Sequence, residues 1–457
     1  MAVKPKMQTL EATSPQILNA IRNSASPEYR AQVPVAQATT ESIREIGAII
    51  MAYQPLRNEF LNALINRIGR VIITSKMYDN PWAAFKKGLL EYGETVEEIF
   101  VNIAKPHTFD PSVAESQVFR REIPDVRAAF HTMNYQKFYK VTVSNDQLRQ
   151  AFLSWSGITE LITGIINSLY TGASYDEFLV MKYLIARIAL NGGIGAKTIP
   201  AVSADNSKSI VSTIKGVSNT LEFMSTEFNM AGVATFTKKA DQILILNAAF
   251  DAVIDVEVLA SAFNMDKAEF MGQRILVDSF ANLDIPRLTE LLGDNPNFQV
   301  PTEAELTLLN SIPAVILDRD WLMVFDNFYN FTQQYNGEGL YWNYWYHVWK
   351  TFSASPFANA LLFTTSTTTV TGVTVSPATA TVKKGATLQL TADVAGTGFT
   401  PQGVIWSVAG STNPGTSISP SGLLTVAADE TATSLTVTAE STTDDTKSGT
   451  ATITISA

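Results

Sequence analysis

A change of composition near residue 362 divides this chain into two kinds of polymer. Before it, apolar residues recur at helical spacing, and nearly all the Trp, Tyr, Phe and Arg are found there. After it come short alternating runs of Thr, Ser, Val, Ala and Gly, with Trp406 as the single tryptophan and no arginine. The junction reads Thr364-Thr365-Ser366-Thr367-Thr368-Thr369. Such a chain is expected to fold as a large mixed body, residues 1–361, a polar link, 362–369, and a small all-β module, 370–457.

Bulk properties exclude several function classes. The 457 residues allow several domains, each with its own core. Of the formal net charge of −10, the tail carries −3 (three lysines against six carboxylates), which leaves −7 on the body. Tight binding to phosphate backbones needs Lys and Arg in excess, so a nucleic acid, if the chain meets one, would be contained and contacted only weakly and non-specifically. There is no cysteine, which rules out disulfides, thiolate zinc sites and a cysteine nucleophile, and fits folding in a reducing cytoplasm. The opening Met1-Ala2-Val3-Lys4-Pro5-Lys6 leads into polar sequence without an apolar signal core, and no run approaches the roughly 18 apolar residues of a membrane span.

Along the body, residues 1–39 are polar and punctuated by Pro5, Pro15, Pro27 and Pro34, which predicts an extended arm with one short helix at Gln16–Arg22. A helix is expected from Glu41, with Ile43, Ile46 and Ile50 on one face, and another from Pro55 through Phe60 and Leu61. Val71–Thr74 reads as a strand. Residues 83–145 are unusual: Val96–Ala104 alternates, with Ile99, Val101 and Ile103 on one side, and so does Lys137–Val143. The long proline-containing connection between them is charged, holding Arg120, Arg121, Glu122, Asp125 and Arg127. A two-stranded projecting arm accounts for it, since a compact domain seldom holds so long a plain loop. Two helices should follow over 157–191, the second opened by the capping-box pattern Ser174-Tyr175-Asp176-Glu177. Asp241–Asn247 and Ala314–Leu317 read as buried strands of an α/β region spanning 240–320.

Chemistry-bearing patterns are scarce. His107, His131 and His347 stand in unrelated contexts and read as surface or interface histidines, not metal ligands. Asn191–Thr198 lacks the glycine a phosphate loop needs before Lys197, and reads as a helix end followed by a flexible link. Asp318 and Asp320 flank Arg319 after a strand, which fits a turn with a local ion pair. No catalytic, cofactor or metal site is expected. The aromatic run Tyr341, Trp342, Tyr344, Trp345, Tyr346 and Trp349 has rings on both faces of a strand, and is either an interface centre or ordinary core.

In the tail, about seven short strands with turn signals predict an immunoglobulin-like sandwich. The segments Val373–Pro377, Val382–Leu390, Val404-Ile405-Trp406-Ser407 and Ile418–Val426 resemble the bacterial immunoglobulin-like domain of group 2. That resemblance makes Trp406 a core residue and Gly422 a turn residue. Ala428-Asp429-Glu430-Thr431 departs from the glycine-rich turn usual in that family.

The body, through its order of arm, long loop, spine helix, α/β region and return, closing in Asn336–Gly339 and Ser355–Ala360, resembles the major capsid proteins of phi-twenty-nine-like podophages. The resemblance implies an α+β chain with the tailed-phage capsid fold (the Hong Kong ninety-seven fold). Its parts would be an N-terminal arm 1–39, an extended loop 83–145, a spine helix 157–191 and an axial domain 240–320, all followed by the immunoglobulin-like sandwich. It further implies no enzyme and no cofactor, but a virion subunit made in the host cytoplasm. The expected partners are copies of itself in pentamers and hexamers of a prohead, a scaffolding protein, a portal and packaged double-stranded DNA. The C-terminal module would meet a host surface or head fibre, and no membrane is involved. Arg120, Arg121, Glu122, Asp125 and Arg127 would lie at subunit contacts. The alternative from the module alone is a bacterial surface adhesin or cell-wall-binding protein.

Overall fold

The computed structural model describes residues 14–61, 63, 80–90, 95–104, 109, 126–152, 157–203, 205–253 and 273–456. The chain forms two compact units: Met1–Asn80, Tyr135–Phe178 and Asp326–Lys350 in one, Pro81–Asn134, Leu179–Phe325 and Thr351–Ala457 in the other.

In the first unit, the apolar spacing of Thr40–Ala52 buries Ile43, Ile46 and Ile50, as expected from their helical phase. Gly47 lets this helix approach closely, because a Cβ there would meet Phe152 Cβ at 2.5 Å. Phe152 in turn packs on Phe60, with ring centroids 5.4 Å apart. Residues 14–36 contain the expected short helix at Gln16–Arg22, within Ser14–Ser24, but are packed and not extended. They form helices Ser14–Ser24 and Pro27–Gln32, and Ile17, Leu18, Ile21, Tyr29 and Val33 are buried. The prolines were compatible with this because Pro15 and Pro27 occupy first turns, where no amide donor is required.

The segment 157–191 is also simpler than expected. Gly157–Leu190 is one helix of 34 residues, about 50 Å long, with residues on both sides of the unit boundary. Ser174 lies inside it and caps nothing. Glu177 is instead buried and engaged by Asn80 and Lys350, so tertiary partners take the carboxylate that the local pattern assigned to a cap. The helix ends as its sequence requires. Gly192, at φ +72°, donates to Ala189 O and Gly193 to Ile188 O, a Schellman closure.

The strands run β1 Lys86–Leu89, β2 Thr95–Val101, β3 Val126–Thr132, β4 Tyr135–Ser144, β5 Gly195–Thr198, β6 Gln242–Asn247, β7 Gln273–Val277, β8 Ala314–Asp318, β9 Leu322–Asn336, β10 Tyr341–Ala354 and β11 Ala360–Thr364. One sheet has the order β1-β9-β10-β4 and another β5-β11-β8-β6-β7, while β2 and β3 pair alone. In the second unit, helix Ser207–Thr220 lays Ile210, Ile214 and Val217 on Leu244, Leu246, Ile316 and Phe363 of the five-stranded sheet. Residues 195–198, expected as a flexible link, pair in parallel with β11.

The tail is all strand, with orders β13-β20-β19-β16, β14-β18-β17 and β12-β15, where β12 to β20 run in chain order from Thr369–Ser376 to Ser448–Ser456. Leu390, Leu424, Leu435, Val437 and Ile453 form its buried centre, and Trp406 packs against them half-buried. Gly422 turns at φ +80°, where a Cβ would meet Leu390 O at 2.4 Å. Glu430 organises the Ala428–Thr431 turn: its buried carboxylate accepts from the Thr412 amide at 3.0 Å, Thr416 Oγ1 at 2.6 Å and the Ala432 amide at 3.0 Å. Those hydrogen bonds, from the Thr412 and Thr416 hydroxyls above all, hold its pKa well below the ordinary carboxylate range. The link is shorter than expected, because Leu362, Phe363 and Thr364 belong to β11 and are buried.

Candidate functional site

The expected two-stranded arm exists with a different partner. β2 pairs antiparallel with β3, from Thr95↔Thr132 to Val101↔Val126. Tyr135–Ser144, expected as the second strand, pairs instead with β10. The mild alternation of Val126-Arg127-Ala128-Ala129-Phe130-His131-Thr132 hid the true partner, because two alanines blur the contrast between its faces.

The two faces of this ribbon have reversed polarity. Glu98 and His131 turn inward, toward the ribbon's own unit. The His131 imidazole is 2% exposed, with Nδ1 2.7 Å from Ser353 Oγ and Nε2 3.1 Å from Glu98 Oε2. Ser355 Oγ donates to Glu98 Oε1 at 2.7 Å, and Phe100 stacks on Phe357 at 5.4 Å. Arg127, expected at a contact with another subunit, donates to Ala231 O of its own chain at 2.5 Å. His131 is therefore an internal tie and not a surface histidine. Its sequence signal was the in-phase position with Arg127, opposite to that of Phe130.

The other face is apolar and open. Ile99, Val101, Val126 and Phe130 are each more than half exposed, as is Ile103 just beyond the strand, and Glu97 lies among them. The alternation of Ile99, Val101 and Ile103 was legible in the sequence, and these residues point to solvent. For a chain alone in water this is the wrong way round, since each such side chain gains about 1.5–3 kcal/mol when covered. Arg120, Arg121, Glu122 and Asp125 lie outside the described residues, as do His107 and the Val71–Thr74 segment.

The aromatic strand resolves into two environments. Trp342, Tyr344, Tyr346 and Val348 of β10 are buried, which makes them core. Burial pushes the Tyr344 and Tyr346 hydroxyls above the ordinary tyrosine range. Tyr341, Trp345 and Trp349 face the other way, half-buried. Lys140 Nζ sits 5.7 Å over the Trp345 ring, Phe138 lies 5.7 Å from His347, and Phe328 4.6 Å from Trp349.

Beneath the buried face, Lys350 is bonded to Glu177, to Asp326 Oδ1 at 2.5 Å and to Tyr329 OH at 2.9 Å. Burial alone would pull the ammonium pKa down, but the two carboxylates outweigh it and hold it above the ordinary lysine value. Asn80 Nδ2 donates to Glu177 Oε1 at 2.6 Å, and Tyr139 OH to Asp176 Oδ2 at 2.8 Å. This saturated network is a structural strut with no open coordination or attack position. Among the described residues no cluster of His, Asp and Glu suits a metal ion, and no helix is long and apolar enough to cross a membrane.

Residues 18–364 match the family model described as "Phi29-like phage major capsid protein". The chain is 40% identical over 421 residues to the major capsid protein of Bacillus phage B103, covering 91% of this chain and 87% of that protein. It is 37% identical over 419 residues to the major capsid protein of Bacillus phage PZA, with the same coverage of 91% and 87%. A solved capsid structure of Staphylococcus phage Andhra shares the fold at a TM-score of 0.50 and 17% identity, covering 63% of this chain and 85% of that one. The chain belongs to the Phi29-like phage major capsid protein family.

Proposed function

We propose that this chain builds the wall of a phage head by clasping copies of itself, with the β2–β3 ribbon of each subunit covered by the next. The observation that carries the reading is the ribbon's reversed polarity, with His131 and Glu98 tied inward while Ile99, Val101 and Phe130 lie bare. A contact of this kind is heterologous, since ribbon and receiving surface differ, and heterologous contacts close into rings. Pentamers and hexamers enclosing double-stranded DNA follow, with the five-stranded sheet in the axial position. The net charge of −10 fits a wall that holds DNA without gripping it.

Further partners belong to the same reading. A scaffolding protein and a portal would act during prohead assembly, and Arg120, Arg121, Glu122 and Asp125 would serve the contacts of the extended loop. The strand-only tail, with Trp406 against its core and Gly422 in a turn, supports an immunoglobulin-like module that meets a host surface or head fibre. The adhesin alternative draws on that module alone, whereas the family match spans residues 18–364.

Electron microscopy of purified protein, with and without a scaffolding partner, tests the proposal. Closed shells are expected. Discrete monomers that bind cell wall instead would overturn it.

A further inference from the structure

The run Thr364–Thr369 between body and tail has the composition of a flexible tether, yet it is held along its length. Ile199 N donates to Thr364 O at 2.8 Å, Thr365 N to Ser311 O at 2.9 Å and Thr198 Oγ1 to Ser366 O at 3.4 Å. Beyond Ser366 the link lies against a loop of the tail. A Cβ on Gly398, at φ +74°, would meet Thr367 O at 2.7 Å, and Thr369 Oγ1 is 2.6 Å from Thr397 Oγ1.

We infer that the tail is latched onto the C-terminal end of helix Gly157–Leu190 and is carried in one fixed orientation, not hung on a tether. The latch is the loop Gly396–Gln402, seated on Gly192 within the second unit. A Cβ at Gly192 would lie 2.3 Å from Thr400 O and 2.8 Å from Gln402 Cγ, so no side chain fits between helix end and loop. Gln402 stiffens the loop from within. Its Oε1 accepts from Val394 N at 3.0 Å, and its Nε2 donates to Val394 O at 2.9 Å and to Thr400 O at 3.3 Å. Phe399, in the same loop, is fully buried although it stands outside the tail's apolar centre.

Gly192 therefore does two jobs. Its positive φ closes the helix, a conformation that asparagine also accepts. Its lack of a Cβ admits the loop, which no other residue allows. A displacement of the tail is then felt at the helix end, because close packing and hydrogen bonds leave the link and loop no slack to absorb it.

Hydrogen-exchange mass spectrometry of the full chain tests the latch. In the wild type, peptides covering 365–369 and 394–402 should be protected. Exchange there at the rate of an unstructured peptide would reveal a tether and overturn the inference. Gly192→Asn keeps a residue that can close the helix but drives a Cβ into Thr400 O. Exchange over 394–402 should rise about tenfold or more, while Ser434–Ser441 and Ser448–Ser456 in the tail's main sheet keep their protection. Gly193→Ala is the control, since its Cβ would press on Ile188 and Met230 and on no atom of the tail. It should leave 394–402 at the wild-type rate. Unchanged exchange in Gly192→Asn, or an equal rise in Gly193→Ala, contradicts the latch. Loss of protection throughout the tail's main sheet in Gly192→Asn also contradicts it, because the contact would then support the tail's fold and not its seating.

Discussion

Phe130 and His131 are neighbours in sequence and opposites in environment: the phenyl ring is 63% exposed and the imidazole 2% exposed. One strand thus buries its polar residue and displays its aromatic one, because His131 has Ser353 and Glu98 waiting for it within its own unit. Phe130 has no equivalent cover among the described residues. On the proposed reading, a second molecule supplies that cover.

Replacing Phe130 by Ser should separate folding from assembly. The residue is exposed in the subunit, so unfolding free energy should stay within about 0.5 kcal/mol of wild type. Particle yield, counted by electron microscopy or sedimentation, should collapse. Normal particles from this variant would show that the face is not a contact.

Glu98→Ala should act in the opposite way. It removes a partner from the buried His131 and from Ser355, and an unpaired buried group costs about 1–3 kcal/mol. Urea unfolding of the unassembled subunit reads that loss directly.

Lys350→Met leaves Glu177 and Asp326 buried without their cation, which should cost about 3–5 kcal/mol. The same region sets an alkaline limit. Burial, helped by Tyr135 and Asp176, raises the pKa of Tyr139, and Tyr344, Tyr346 and Lys350 are raised too. The unfolded chain releases these protons near pH ~10 while the folded chain keeps them, so their stabilisation is complete below that pH and falls as pH rises through it. Thermal melts from pH 8 to 11 should show a decline beginning at about pH 10.

At the acid end the tail should fail through Glu430. Its folded pKa lies below the unfolded value, so its contribution is present above about pH 4.5 and is lost as the pH falls further. Hydrogen-exchange protection factors around Thr412 and Thr416 should fall below about pH 4, and Glu430→Gln should lower them at neutral pH.

Much of this fold was readable from spacing alone. Ile43, Ile46 and Ile50 marked their helix, and Leu244 and Ile316 their strands, because burial within one chain imposes a period. Where the reading went astray, the deciding partner was distant in sequence. Ser174 and Glu177 formed a plausible cap until Lys350, 173 residues away, claimed the carboxylate. The alternation of Ile99, Val101 and Ile103 revealed a two-faced strand but not which face is inward, since inwardness depends on His131, Ser353 and Ser355. A strand whose apolar side awaits another molecule carries the same pattern as one whose apolar side is core. The sheet face carrying Phe138, Trp345 and Trp349 was half legible for the same reason: the aromatic run was evident, but its division into core and open faces needed the register with β4.

Hydroxyl-radical footprinting of the free subunit against assembled particles tests the central claim most directly. Ile99, Val101 and Phe130 should be labelled strongly in the free chain and lose most of that labelling in the shell, while buried Trp342 stays protected in both. Equal labelling of these three residues before and after assembly would contradict the account.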